Sequence, residues 1–172
     1  QAIARHVREA AFAHVKTYNV ATSLLFLDRL GDPADRPLIQ MLGTRLLAGQ
    51  TATGGWGYET AKLPDGEAER LRQALAAGGG GAELANWPRL PGAGADVPVH
   101  PAVVRHSQAI GADKFRGDTS DNSNTQFAVL GLWAARRHGL PVAAVLRAVE
   151  LRFLTTQNPN GGWAYSEAGS QT

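Results

Sequence analysis

Two stretches of the chain are apolar on every side. Val20 to Leu27 and Phe127 to Ala135 contain no charged residue, the pattern of a helix enclosed by other protein rather than one with a wet face. The segment after the second stretch differs. Val142, Val145, Leu146, Val149 and Phe153 recur at helical spacing, whereas Arg147, Glu150 and Arg152 fall off that stripe, which predicts an outer helix with one solvated face. Gly31 and Gly139 stand where a helix C-cap is wanted, and Pro33 and Pro141 follow where a new helix can start without an amide donor. Each pair predicts a helical hairpin with a short turn.

The hairpins repeat. Thr17-Tyr18-Asn19-Val20-Ala21 set against Thr125-Gln126-Phe127-Ala128-Val129 brings Gly31 onto Gly139 and Pro33 onto Pro141, and a slip of one residue brings Gln50 onto Gln157. The endings then agree at Gln50, Gly54, Gly55, Trp56 and Tyr58 against Gln157, Gly161, Gly162, Trp163 and Tyr165, with identical spacing. Two such units, at about 17–60 and 121–167, predict a repeat architecture in one segment spanning 1–172. The paired glycines permit a tight turn, after which each Trp can fold back onto its outer helix and supply packing area.

Between the units, residues 61–116 are rich in Gly and Pro and read mostly as loop. Asp65 to Ala77 predicts one short amphipathic helix through Ala68, Leu71 and Leu75. The rest reads as a variable surface excursion or as a flap over the mouth of the fold.

Composition narrows the classes. With 44% hydrophobic and 19% charged residues the chain can bury a core, and seventeen basic against fifteen acidic residues, scattered through both halves, leave no stripe that would track a nucleic acid. Nucleic acid is not an expected partner. No apolar run approaches the roughly 20 residues of a membrane helix. The absence of cysteine excludes disulfides, thiolate metal sites and cysteine nucleophiles. Neither a phosphate-binding Gly-rich loop nor a Gly-x-Ser-x-Gly elbow is present. The chain opens at Gln1 directly on a helical pattern, without the layout of a signal peptide, and is expected to be part of a longer protein of undetermined compartment.

The pattern Phe153-Leu154-x-x-Gln157-x-x-x-Gly161-x-Trp163, with Leu46-Leu47-x-x-Gln50-x-x-x-Gly54-x-Trp56, resembles the Gln-Trp repeat of squalene and hopene cyclases and the related protein prenyltransferase repeat. The resemblance implies an all-α fold, an α/α toroid of inner and outer helices. In that superfamily a ring closes with about six hairpins, and roughly 45 residues per hairpin allow three or four here. Further repeats, in the parent chain or in a partner, are therefore expected to close the ring.

The same resemblance tests three chemistries residue by residue. Class II cyclases carry an acidic Asp-x-Asp-Asp-Thr motif where this chain has Asp121-Asn122-Ser123-Asn124-Thr125; Ser123 and Asn124 stand where the protonating pair would be, and neither is a strong acid. Prenyltransferases hold zinc with Asp, Cys and His, and the cysteine is missing; His100 and His106 read as solvated loop histidines. The thioester domains of complement and macroglobulin proteins need a cysteine joined to a glutamine. No catalytic residue, metal site or cofactor is therefore expected.

What remains is a polar cluster at the helix starts. Ser123 and Gln126 satisfy a capping-box pattern and Asp121 suits the positive end of a helix dipole. Together with Tyr18 and Asn19 in the first unit, Asp121, Asn124 and Gln126 form a candidate ligand-binding rim around an apolar interior. Gln50, Gly55, Trp56, Gln157, Gly162 and Trp163 are the structural repeat motif. His6 and His14, near Arg5, Arg8 and Lys16, read as a solvated face. The expected function is a toroid module binding a lipid, an isoprenoid, a peptide or a protein partner without cyclase chemistry. The alternatives are an enzyme of the cyclase or prenyltransferase type whose catalytic residues lie outside this segment, and an assembly protein whose interior is filled by its own side chains.

Overall fold

The protein is described from a computed structural model covering residues 2–61, 66–77, 88, 97–112 and 119–166. Among these the chain is all-α, with seven α-helices and no β-strand: α1 (Ala2–Ala10), α2 (Thr17–Leu30), α3 (Arg36–Ala48), α4 (Glu67–Ala77), α5 (Pro101–Ala112), α6 (Asn122–Ala135) and α7 (Ala143–Thr156).

The two hairpins form where the apolar pattern places them. Helix α2 ends at Gly31 with φ of 73°, and the second turn closes at Gly139 with φ of 85°, left-handed conformations that glycine adopts without a Cβ penalty. The turn after α2 is a 3-10 segment, Pro33–Asp35, capped by the Asp32 carboxylate, which accepts from the Ala34 amide at 3.0 Å. Arg8 of α1 clamps this turn, donating to Asp35 at 2.6 Å and to Asp32 at 2.8 Å.

Helices α2 and α6 lie side by side and parallel. Tyr18 near the start of α2 bonds Ser123 near the start of α6, and Asp28 near the end of α2 pairs with Arg137 and His138 just past the end of α6. Small residues allow the close approach: a Cβ on Gly131 would lie 2.9 Å from Leu46 Cδ1 and 3.4 Å from the Ala21 backbone. Helix α3 packs against both α2 and α6, and α5 packs on α3 as well.

Three differences from the sequence reading have clear causes. The register of the repeat shifts at its start, because α6 continues through a 3-10 turn, Arg136–His138, before reaching Gly139. The hydrogen-bond equivalent of Thr17 is therefore Asn122, not Thr125: the Thr17 amide donates to Tyr58 O and the Asn122 amide to Tyr165 O, each at 2.9 Å. The central stretch holds the expected short helix as α4 and a second, unexpected one, α5; Pro101 opens α5 at a position that needs no amide donor. Asp65 of the expected central helix, and most of the remaining Gly- and Pro-rich stretch, lie outside the described residues. Finally, α3 has no wet face, with ten of its thirteen residues buried, because α5 and the segment after α1 cover what α2 and α6 leave open.

The core runs through Val20, Leu24, Leu27, Ile39, Met41, Leu42, Leu46, Trp56, Leu132 and Leu140, all at 2% exposure or less. Helix α7 meets it through Val149 and through its N-cap residue Val142, while Leu151 and Leu154 on the same helix stand open to solvent.

Candidate functional site

The rim at the inner-helix starts is built from caps. Asp121 is the N-cap of α6: one carboxylate oxygen accepts from the Asn124 amide at 2.7 Å and the other from Asn124 Nδ2 at 2.7 Å. This replaces the capping box read from Ser123 and Gln126, because α6 begins at Asn122 and Ser123 already lies in its first turn. Asp121 and Asn124 are both buried, and Asn124 Oδ1 has no hydrogen-bond partner among the described residues. Tyr18 is half-buried between Ser123, which its hydroxyl bonds, and the Phe127 ring, 4.6 Å away between centroids. Asn19 and Gln126 are exposed. The five rim residues thus divide into a closed cap (Asp121, Asn124) and side chains at the surface (Tyr18, Asn19, Gln126).

Below the rim, α2 and α6 share an open face. Because α3 backs both helices, their free positions lie on the opposite side: Tyr18, Thr22, Leu25 and Arg29 along α2, and Gln126, Phe127, Leu130 and Trp133 along α6. Leu130 and Trp133 are 45% and 54% exposed, large apolar groups at adjacent turns of a helix that is otherwise core. At the far end the Arg136 guanidinium lies over the Trp133 indole, 4.7 Å from its centroid, a cation–π arrangement. Arg136 makes no ion pair among the described residues, whereas Arg137 is paired with Asp28. The face therefore runs from hydroxyls and amides, across an apolar middle, to a guanidinium. A separate open cleft of about 670 Å³ lies beside Arg5, Arg8, Leu30 and Asp32.

The repeat-motif residues act alike in both units. Gln50 Nε2 donates to Gly54 O at 3.0 Å and Gln157 Nε2 to Gly161 O at 2.8 Å. Trp56 Nε1 donates to Leu46 O and Trp163 Nε1 to Phe153 O, each at 2.8 Å. The first glycine of each pair takes the left-handed turn, Gly54 and Gly161 both at φ of 85°. The second, in the first unit, is a point of close approach: a Cβ on Gly55 would lie 2.6 Å from Ser120 Oγ. Gly162 has no such neighbour, only Asn160 Oδ1 at 3.4 Å.

Several polar residues that the sequence pattern passes over, or misplaces, are buried. Arg152, read as part of a wet face, is 3% exposed; it ties α7 to the start of α6 by donating to Ser120 Oγ at 2.8 Å and Asn122 Oδ1 at 3.1 Å, and it reaches Thr53 Oγ1 of the first unit at 3.5 Å. Gln40 is fully buried with its amide satisfied: it donates to Pro98 O and His138 O and accepts from the His100 amide. Arg45 is buried among carbonyls, donating to Ala61 O, Ala11 O and His14 O; burial lowers its pKa to about 10.

His100 and His106, expected in solvent, are 6% and 0% exposed, because α5 packs on α3. His100 Nδ1 accepts from the Ala102 amide at 3.1 Å. Neither ring nitrogen of His106 has a partner among the described residues. Burial pushes its pKa down to about 4, against the opposing pull of Glu67. No group of three or more His, Asp or Glu suited to a metal occurs among the described residues, and no helix among them is long and apolar enough to cross a membrane.

Comparison with protein-family models, with curated proteins and with solved structures finds no match to this chain. The functional reading therefore rests on the geometry.

Proposed function

We propose that the chain is a hairpin-repeat module of an α/α toroid, of the terpene cyclase and prenyltransferase kind, that binds a lipid-like ligand on the α2/α6 face without cyclase chemistry of its own. The observation that carries this reading is the pair Leu130 and Trp133, held open to solvent on parallel helices whose backs are fully packed. Large exposed apolar groups on an otherwise core helix mark a contact surface. Tyr18, Thr22 and Gln126 at one end, and Arg136 at the other, supply hydrogen bonds and a positive charge for a polar or anionic head.

The acid motif supports a role without cyclase chemistry. Asp121 keeps both oxygens on Asn124, and the next two motif positions are a hydroxyl and an amide, so no side chain there is set to protonate an alkene.

The test is to incubate the protein with an isoprenoid and membrane-lipid extract and identify by mass spectrometry what is retained or converted. The expected result is a retained, unchanged amphiphile, lost in Trp133→Asp and weakened in Arg136→Gln. A converted isoprenoid overturns the binding-only reading in favour of an enzyme. Retention unaffected by Trp133→Asp overturns the assignment to this face.

A further inference from the structure

Among the described residues the two copies of the repeat motif differ in their cover: the first is buried and the second is exposed. Trp56 is fully buried because the second hairpin lies over it. Its amide donates to Thr125 Oγ1 at 3.0 Å, and its carbonyl accepts from the Asp121 amide at 3.0 Å. Gln50 Nε2 reaches a second acceptor, Val145 O, at 2.9 Å. Gly54 admits the α7 backbone so closely that a Cβ would lie 2.5 Å from Ala148 O.

In the second copy these groups are present and meet no such partner among the described residues. Trp163 is 45% exposed, and its amide and carbonyl have no partner among the described residues. Among the described residues Gln157 Nε2 has its local bond to Gly161 O and no second acceptor. No described residue lies within 4 Å of where a Gly161 Cβ would be. On α7, Leu151 and Leu154 are 60% and 70% exposed.

We infer that this edge, Trp163 with Gln157, Leu151 and Leu154, docks a third helical hairpin of the same repeat kind. The chemistry of that partner follows from what covers the first copy. Its first helix begins with an N-cap residue whose amide meets Trp163 O, and carries a hydroxyl four residues later for the Trp163 amide, as in Asp121-x-x-x-Thr125. Its second helix offers a first-turn carbonyl to Gln157 Nε2, as Val145 O does to Gln50, and lies close enough to require Gly161.

A second copy of this chain does not fit. At the start of α2, Lys16 and Val20 stand where Asp121 and Thr125 stand in α6, and Val20 is fully buried with no hydroxyl to give. The inference concerns the repeat edge and is independent of any ligand on the α2/α6 face.

The experiment extends the full chain with a duplicate of residues 119–166 through a flexible Gly/Ser linker. Tryptophans are labelled as 5-fluorotryptophan, with Trp163 assigned by the resonance lost in Trp163→Phe. The expected result is that Trp163 becomes as protected from solvent as Trp56, with quenching by acrylamide reduced severalfold. Replacing the Thr125 equivalent in the added hairpin by Val should reverse part of that protection. A folded extended chain, judged by an unchanged Trp56 signal, in which Trp163 stays exposed would overturn the inference.

Two measurements on the unextended chain test it independently of that design. Concentration-dependent burial of Trp163 would assign the edge to a second copy instead. A large loss of thermal stability in Leu154→Asp would mean the edge is already packed; the inference expects almost none.

Discussion

Trp56 and Trp163 donate the same indole hydrogen bond to a carbonyl ten residues back in their own outer helix, each at 2.8 Å, yet one is fully buried and the other 45% exposed. The bond is internal to each hairpin. The burial belongs to the contact between hairpins.

Substitution at the two sites should therefore differ in cost. Trp56→Ala opens a cavity in the core between the hairpins and is expected to cost about 3–5 kcal/mol, the range for large-to-small aromatic changes. Trp163→Ala loses one hydrogen bond and an edge contact with Phe153 at 5.8 Å, worth about 1 kcal/mol. Urea denaturation of the two variants checks the difference, and equal losses would mean that Trp163 is already enclosed.

The glycines repeat the comparison for the backbone. Gly54 and Gly161 share φ of 85°, so alanine at either meets a left-handed penalty of about 1–2 kcal/mol. At Gly54 the new Cβ also collides with Ala148 O, 2.5 Å away, and overpacking adds roughly 1–3 kcal/mol. Gly54→Ala should lower the melting temperature clearly more than Gly161→Ala.

His106 should make stability depend on pH on the acid side. Its folded pKa is lowered to about 4 by burial, whereas the unfolded value is about 6.5. Above 6.5 the ring is neutral in both states and the stability is fully present. As pH falls through that value the unfolded chain binds a proton that the folded chain refuses, and stability is lost until the folded pKa is reached. The loss between neutral pH and pH 4 is a few kcal/mol at most, and urea midpoints in His106→Leu should be flatter across that window than in the parent chain.

Asp121→Ala removes the N-cap of α6 and is expected to cost about 1–2 kcal/mol, with Asn124 Nδ2 left facing no acceptor. Asp121→Asn keeps one capping oxygen and should cost less. If the complete protein turned over a terpene and Asp121→Asn abolished turnover while the melting temperature held, the residue would be chemical rather than structural.

The helical hairpins, their glycine ends and the Gln-to-Trp closure were legible from the amino acids because each depends on contacts within a few turns of chain. Gly31 and Gly139 each take a left-handed φ within their own turn, and Trp56 and Trp163 need only a carbonyl ten residues away. Arg152, His106 and Gln40 were not legible. A charged or polar residue at the edge of an apolar stripe reads as solvated unless the partner that covers it is known, and those partners come from 30 to about 100 residues away. Helix α5 was missed for the same reason, since a short segment between Gly/Pro-rich stretches acquires its helical stability from packing on α3 rather than from its own pattern.

The amino-acid order by itself determined an all-α chain of two like hairpins, without cysteine chemistry and without an intact acid motif. Only the tertiary structure decided which of two identical motifs is core and which is surface, that Asp121 and Asn124 close on each other while Leu130 and Trp133 stay open, and that two histidines and two arginines lie inside. The physical reason is that a hydrogen bond to the same helix is set by local spacing. Burial is set by whatever lies on top, and no residue carries that information in its own neighbourhood of the chain.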